Sequence, residues 1–506
     1  MDKKLIAEYA ESFFNLFRKE GITDSLFILN QAICFFFLKK EEYGGRFRDK
    51  SLNLFGDETL VCVSWHNMKN IENYDFVHNY LTDVIPQLDK QIICNYKLTS
   101  FLNDAKLYKF KTSLVLYNSF VLMDKLFTYC ESDNDTKVIT SYDFGNMFEE
   151  FLQYYQSSLK EGFTIPMHIS RLMSELSESN VYDLIYTPIL GDGELLVSTY
   201  QKIVGDSTPK EKILHDLDGF ANGDISVSNL SSEQLKKIVL NGNQEKNEDM
   251  FLTIMNFYFH GISLPQAFTA QRLLSSEFRI SPSKYSKIIA AVFPPITVKK
   301  HDDIDKNLKQ AFGSNRPTMV LDRCLEQLAE DGRLVALVPE SFLSAHDKAV
   351  ANFRKTILEH YQLEAIISLP KGVFANYSNI KTSIIVLTKN HVPSYSVWMC
   401  ELKNDGYSLN SKRSKNTEIP LPKLVENFKG RVVNNDSLMD VFLVPIETIL
   451  NHRSSWVVQF YNDYETVEES IEDPKEILRE IFKLEGIIDS ELRDLSTLLG
   501  DGEIFG

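Results

Sequence analysis

The chain has no Cys-x-x-Cys pair, no apolar run long enough to cross a bilayer and no surplus of positive charge. Its six cysteines, Cys34, Cys62, Cys94, Cys130, Cys324 and Cys400, are scattered through 506 residues. Such spacing argues against a disulfide framework or a structural zinc site, so no metal is expected and a reducing cytoplasm is the expected compartment. The apolar tract from Leu26 to Leu38 is interrupted by Asn30 and Gln31 and is too short for a transmembrane helix, so no membrane partner is expected. Met1-Asp-Lys-Lys leads directly into helix-patterned residues, and no signal peptide is expected. The formal net charge of -16 repels a polyanion on average. A nucleic-acid partner would therefore have to meet a local basic surface or one supplied by another subunit. What the chain does have is apolar: 43% hydrophobic and 12% aromatic residues exclude a disordered polymer.

Residues 1–140 read as helical. Leu5, Ile6, Tyr9, Phe13, Leu16 and Phe17 recur at three- and four-residue spacing, and Gly21 follows as a stop. Thr23-Asp-Ser25 supplies caps for a second helix through Phe35, Phe36, Phe37 and Leu38, apolar almost all round and so expected to be buried among other helices. Further helical patterns run through Tyr80 to Leu88 and Thr112 to Phe127. The polar stretch Glu131 to Lys137 marks a domain boundary near residue 140.

From residue 141 short apolar runs alternate with helical patterns. Strands are predicted at Val181–Tyr186, Lys237–Leu240, Leu273–Ser275, Ile288–Phe293, Leu334–Pro339, Ala365–Leu369 and Ser383–Leu387. Helices fall between several of them, which predicts an α/β domain over 141–392 with a mostly parallel, doubly wound sheet of seven strands. An extension over 393–445 and a helical tail over 446–506 complete the expected layout. The tail carries an acidic stretch from Asp463 to Asp473 and a helical pattern through Ile477, Leu478, Ile481, Phe482, Leu484 and Ile487.

The organising stretch is Lys287-Ile-Ile-Ala-Ala-Val-Phe-Pro-Pro-Ile296, a buried-strand pattern that stops on two prolines. Ligands bind at the carboxyl ends of strands in open α/β sheets. Three loops fall at such ends: Thr187 to Leu196, with Gly191 and Gly193 before an apolar helix start; Gly242-Asn-Gln-Glu245, where an acid typically accepts hydrogen bonds from ribose hydroxyls; and Phe293-Pro294-Pro295-Ile296. A tight turn, a solvated helix-start glutamate and a proline stop explain each loop alone about as well. Their order and spacing together favour a nucleotide-like site.

The succession Glu330 to Leu343, Phe353 to Leu358, Leu363 to Phe374 and Ile380 to Lys389 resembles the modification subunits of type I restriction-modification systems, S-adenosylmethionine-dependent DNA adenine methyltransferases. Gly162-Phe-Thr-Ile-Pro166, Asn256-Phe-Tyr-Phe-His-Gly261 and Asn404-Asp-Gly-Tyr-Ser-Leu409 are similar to further segments of that family, and the resemblance covers residues 145–425. It implies a Rossmann-like methyltransferase sheet, an N-terminal all-helical domain and a C-terminal helical tail that meets a specificity-type subunit. It also implies that DNA is engaged through that complex, and that S-adenosylmethionine contacts run through Pro166, Thr187, Gly191, Asp192, Gly193 and Glu245 if binding is retained.

The departures from the family pattern fall where the chemistry should be. The family's catalytic loop, Asn-Pro-Pro followed by an aromatic residue, holds a flipped-out adenine. Here Phe293 replaces the Asn and Ile296 the aromatic, leaving Pro294 and Pro295. Losing one preorganised polar contact of this kind costs on the order of a hundred- to thousand-fold in rate. At the cofactor loop Thr187 stands for an Asp, Asp192 lies between the glycines, Glu194 replaces a residue that is often glycine, and Ile165 replaces a hydroxyl-bearing Thr. The sequence therefore favours a catalytically degenerate member that assembles a DNA-targeting defence complex. An active methyltransferase with an atypical loop, or a sensor of another nucleotide-like ligand, stays open.

Overall fold

The computed structural model describes residues 3–44, 65–69, 114–133, 139–158, 165–216, 218–222, 228–243, 247–262, 267–269, 271–292, 303–375, 380–390, 395–410, 413–452, 454–462 and 482–493. The chain divides into two compact units, Met1–Gln459 and Phe460–Gly506.

In the first unit the helices α1 (Lys3–Lys19), α2 (Ser25–Gly44), α3 (Trp65–Lys69), α4 (Leu114–Asp133) and α5 (Ser141–Ser158) precede the sheet. The second predicted helix is indeed apolar nearly all round and is buried from Phe27 to Lys39 apart from Asn30. Phe36 shows how it is held: its ring meets those of Phe127 at 5.5 Å, Phe148 at 6.0 Å, Phe151 at 5.1 Å and Phe259 at 5.6 Å. Edge and tilted ring packing of this kind adds to the burial term. The pattern at Tyr80 to Leu88 lies outside the described residues.

The sheet is built from β1 (Leu184–Thr187), β2 (Val239–Asn243), β3 (Ala267–Thr269), β4 (Tyr285–Ala291), β5 (Leu328–Pro339), β6 (Gln362–Ser368), β7 (Thr382–Thr388), β8 (Ser396–Leu402) and β9 (Met439–Pro445). Their spatial order is β9-β8-β6-β7-β5-β4-β1-β2-β3. Strands β1 to β5 pair in parallel, β7 is antiparallel to both β5 and β6, and β9 is antiparallel to β8. The helices that bear on the site are α6 (Met167–Ser177), α7 (Glu194–Asp206), α8 (Ser232–Lys237) and α9 (Asn247–Phe259).

Two expectations are corrected. The sheet has nine strands, not seven, because the extension contributes β8 and β9: Trp398, Met399 and Cys400 are buried on β8, as Val441 is on β9. Leu273–Ser275 is a turn, in which the Ser275 N–H donates to the Arg272 carbonyl at 3.0 Å, and the third strand lies earlier, at Ala267–Thr269. Three buried apolar-to-small residues satisfy either conformation, and here the turn bond decides.

The order of chain entry reverses between β1 and β4, since the chain runs outward to β3 and returns to β4 beside β1. That reversal places the ligand crevice of an open α/β sheet at the carboxyl ends of these two strands.

In the second unit residues 482–493 form a helix exposed along its length, with Phe482, Leu484, Ile487, Ile488 and Leu492 among its exposed residues. Ile477, Leu478 and Ile481 of the predicted pattern lie outside the described residues. No helix of the described residues is long and apolar enough to cross a membrane.

Candidate functional site

The carboxyl end of β1 brings together four of the predicted residues. Thr187 closes the strand and is fully buried, and its Oγ1 makes no hydrogen bond. Gly191 (φ 59°) and Gly193 (φ 84°) adopt left-handed backbone, which explains why glycine stands at both positions. They differ in their surroundings. A Cβ on Gly191 would meet open space, whereas one on Gly193 would lie 2.9 Å from Thr253 Cγ2 and 3.2 Å from Phe257 Cε1. The turn is thereby pressed against α9, which also bonds it: Thr253 Oγ1 donates to the Gly191 carbonyl at 2.9 Å and Asn256 Nδ2 to the Asp192 carbonyl at 3.2 Å.

Gly193 caps α7, whose first N–H groups would serve a bound anion. Asp192 reaches that end first. Its Oδ1 accepts the Glu194 N–H at 3.1 Å, and its Oδ2 accepts from Gln156 Nε2 at 2.6 Å. Glu194 itself is buried with Ser198 Oγ donating to its Oε1 at 2.8 Å. Burial, and next the negative charge of Glu149, pushes its carboxyl up to about 8.

Leu190 occupies the space above β2. Its N–H donates to the Asn243 carbonyl at 3.0 Å, and its side chain lies 2.2 Å from where a Cβ on Gly242 would stand, so Gly242 must be bare. Asn243 Nδ2 donates to the carbonyls of Pro188 at 3.3 Å and Gln271 at 3.0 Å, lacing the ends of β1 and β2 together.

The structure does not describe every predicted site residue. Glu245 and the loop Phe293, Pro294, Pro295 and Ile296 lie outside the described residues. Strand β4 ends at Ala291, and the Val292 N–H donates to the Leu337 carbonyl at 2.8 Å. Pro166 opens α6, its carbonyl accepting from Ile169 and Ser170 N–H groups, and Ile165 before it is buried. Among the described residues no group of three or more His, Cys, Asp or Glu side chains could hold a metal ion.

The Asn404–Leu409 segment is fastened to α6. Buried Asp405 lies 3.0 Å from His168 Nε2 and pairs with Arg413; these two outweigh its burial and hold its carboxyl below the ordinary range. Tyr407 stacks on His168 with ring centroids 4.4 Å apart and donates to Asp218 Oδ1 at 2.9 Å.

Sequence reading missed the buried charges behind the turn. Glu149 and Arg171 sit on α5 and α6, where no helical pattern was singled out, and His260, just past α9, entered only within the Asn256–Gly261 segment. The available signal was Gly145, a glycine inside a helix, where a Cβ would meet the His260 ring at 2.4 Å.

The pattern of the family described as N-6 DNA Methylase matches residues 140–470. Over 260 residues the chain is 24% identical to the type I restriction enzyme EcoEI methylase subunit of Escherichia coli, covering 51% of this chain and 48% of that one. Over 257 residues it is 25% identical to the type II restriction enzyme and methyltransferase RM.BcgI of Heyndrickxia coagulans, covering 49% of this chain and 35% of that protein. The matches thus span about half or less of these curated relatives. The fold is similar to that of a type I restriction-modification methyltransferase subunit from Streptococcus thermophilus, with a TM-score of 0.63 at 15% identity over 90% of this chain and 98% of that one. The chain belongs to the N-6 DNA methylase family, and the resemblance to type I modification subunits carried by its strand sequences holds.

Proposed function

We propose that this protein is a modification-subunit component of a type I restriction-modification or related defence system, keeping the methyltransferase scaffold for assembly on DNA without catalysing methyl transfer itself. The observation that carries the reading is the end of β1. Thr187 offers a buried, unpaired hydroxyl where the resembled family has a carboxylate, and the α7 amino end is already closed by Asp192. The residues present fit S-adenosylmethionine poorly. A cofactor carboxylate would meet Asp192 beside buried Glu194, and a cofactor ammonium would find no partner charge at Thr187.

The scaffold around that end is intact by contrast. Gly191 and Gly193 keep their backbone geometry, and the strand order retains its reversal beside β1. Phe293 in the proline loop would add a second loss, since it gives no acceptor for an adenine amine. The assembly role draws on the 24% identity to a type I methylase subunit; a specificity-type subunit is the proposed protein partner, and DNA is reached through it.

The test is methyl transfer to DNA by the native chain and by Phe293→Asn/Ile296→Tyr, each with S-adenosylmethionine and a cognate specificity-type subunit. Activity absent from the native chain and gained in the repaired one supports the reading. Adenine methylation by the native chain overturns it.

A further inference from the structure

Glu149 lies on α5, outside every predicted site residue, and is fully buried. Four elements send a polar side chain to its carboxylate. Lys3 of α1 approaches Oε2 at 3.6 Å, and Oε1 is met by Arg171 Nη2 of α6 at 3.5 Å, Gln201 Nε2 of α7 at 3.3 Å and His260 Nε2 next to α9 at 3.0 Å. Three of these elements build the ligand end of the sheet: α6 opens at Pro166, α7 follows the glycine turn, and α9 both packs on Gly193 and bonds the turn carbonyls. Gly145, one turn before Glu149, leaves the room that the His260 ring needs.

Hydrogen bonds join Glu149 Oε1 to Gln201 and His260, while Lys3 and Arg171 are held to the hub by charge alone. The three guanidinium nitrogens of Arg171 make no hydrogen bond, standing 3.5 Å from Glu149 and 3.6 Å from Asp216, and neither Glu149 Oε2 nor Asp216 Oδ2 is hydrogen-bonded. A buried carboxylate held this way depends on all its counter-charges, because removing one leaves the rest to redistribute around it. Lys3 is the member farthest along the chain from the site and the most exposed of them.

We propose that Glu149 is a positioning residue through which the seating of α1, by Lys3, sets the arrangement of α6, α7 and α9 around the turn at the end of β1. The seating of α1 would then reach the ligand end of the sheet through Glu149, alongside the direct ring contact of Phe36 on α2 with Phe259 of α9. This coupling does not rest on whether methyl transfer survives, and its test uses no cofactor.

Hydrogen–deuterium exchange of the full chain reads it directly. In Lys3→Met, amides of residues 190–198 and 250–262 are expected to exchange on the order of tenfold faster, with β5, β6 and β7 unchanged. Glu149→Gln, which keeps the shape and removes the charge, should give the same pattern, and Lys3→Arg should restore native rates. Acceleration confined to α1 and α5, or spread evenly over the sheet in both variants, would overturn the coupling.

Discussion

Asp192 Oδ1 accepts the backbone N–H of Glu194 at 3.1 Å, so the chain's own carboxylate closes the helix end that points out of the glycine turn. A hydrogen bond of this kind contributes about 1 kcal/mol, and the 2.6 Å bond from Gln156 adds to it. Asp192→Ala should lower unfolding free energy by about 1 kcal/mol in urea titration. An unchanged midpoint would mean that Asp192 does not hold the amino end of α7.

Glu194 gives a pH signature. An acid whose folded value is raised from 4.5 to about 8 binds its proton more tightly in the folded chain. Its contribution is complete below the unfolded value and is lost as pH rises toward 8. Glu150, pushed up to about 7 chiefly by burial, acts in the same direction. Glu194→Gln should therefore gain on the native chain between pH 5 and pH 8, by on the order of a kcal/mol or more at the upper end. Parallel melting curves across that window would contradict a buried, protonated Glu194.

The two glycines of the turn should separate on substitution. Gly191→Ala meets open space and carries only backbone strain, about 1–2 kcal/mol. Gly193→Ala carries the same strain plus a contact at 2.9 Å with Thr253, and should cost clearly more. Equal losses in thermal unfolding would show that α9 yields at this point.

Thr187→Val tests the orphan hydroxyl. Removing a buried, unpaired polar atom at constant shape should leave stability unchanged or raise it by about 1 kcal/mol. A clear loss would reveal a partner for Oγ1.

How much of this was legible depends on the residue. Continuous apolar runs such as Ile288–Phe293 and Leu334–Pro339 have few ways to be buried, and they fall in β4 and β5, which end at Ala291 and Pro339 but begin earlier than the apolar runs, at Tyr285 and Leu328. The turn at Gly191 and Gly193 was legible because only glycine takes those angles cheaply. The third strand was not: Ala267–Thr269 is three residues long and carries no alternation to mark it. Strands β8 and β9 were assigned to an extension because their pairing depends on partners far along the chain, Ala365 opposite Trp398 for instance. The Glu149 hub is likewise a product of four distant helices. No local pattern announces it beyond Gly145.

The most direct measurement of the central claim is calorimetric titration of the purified full chain with S-adenosylmethionine. No detectable heat is expected up to millimolar cofactor, because Asp192 already occupies the first N–H of α7 and Thr187 brings no charge to the end of β1. Saturable binding in the micromolar range would contradict it and return methyl transfer to this chain.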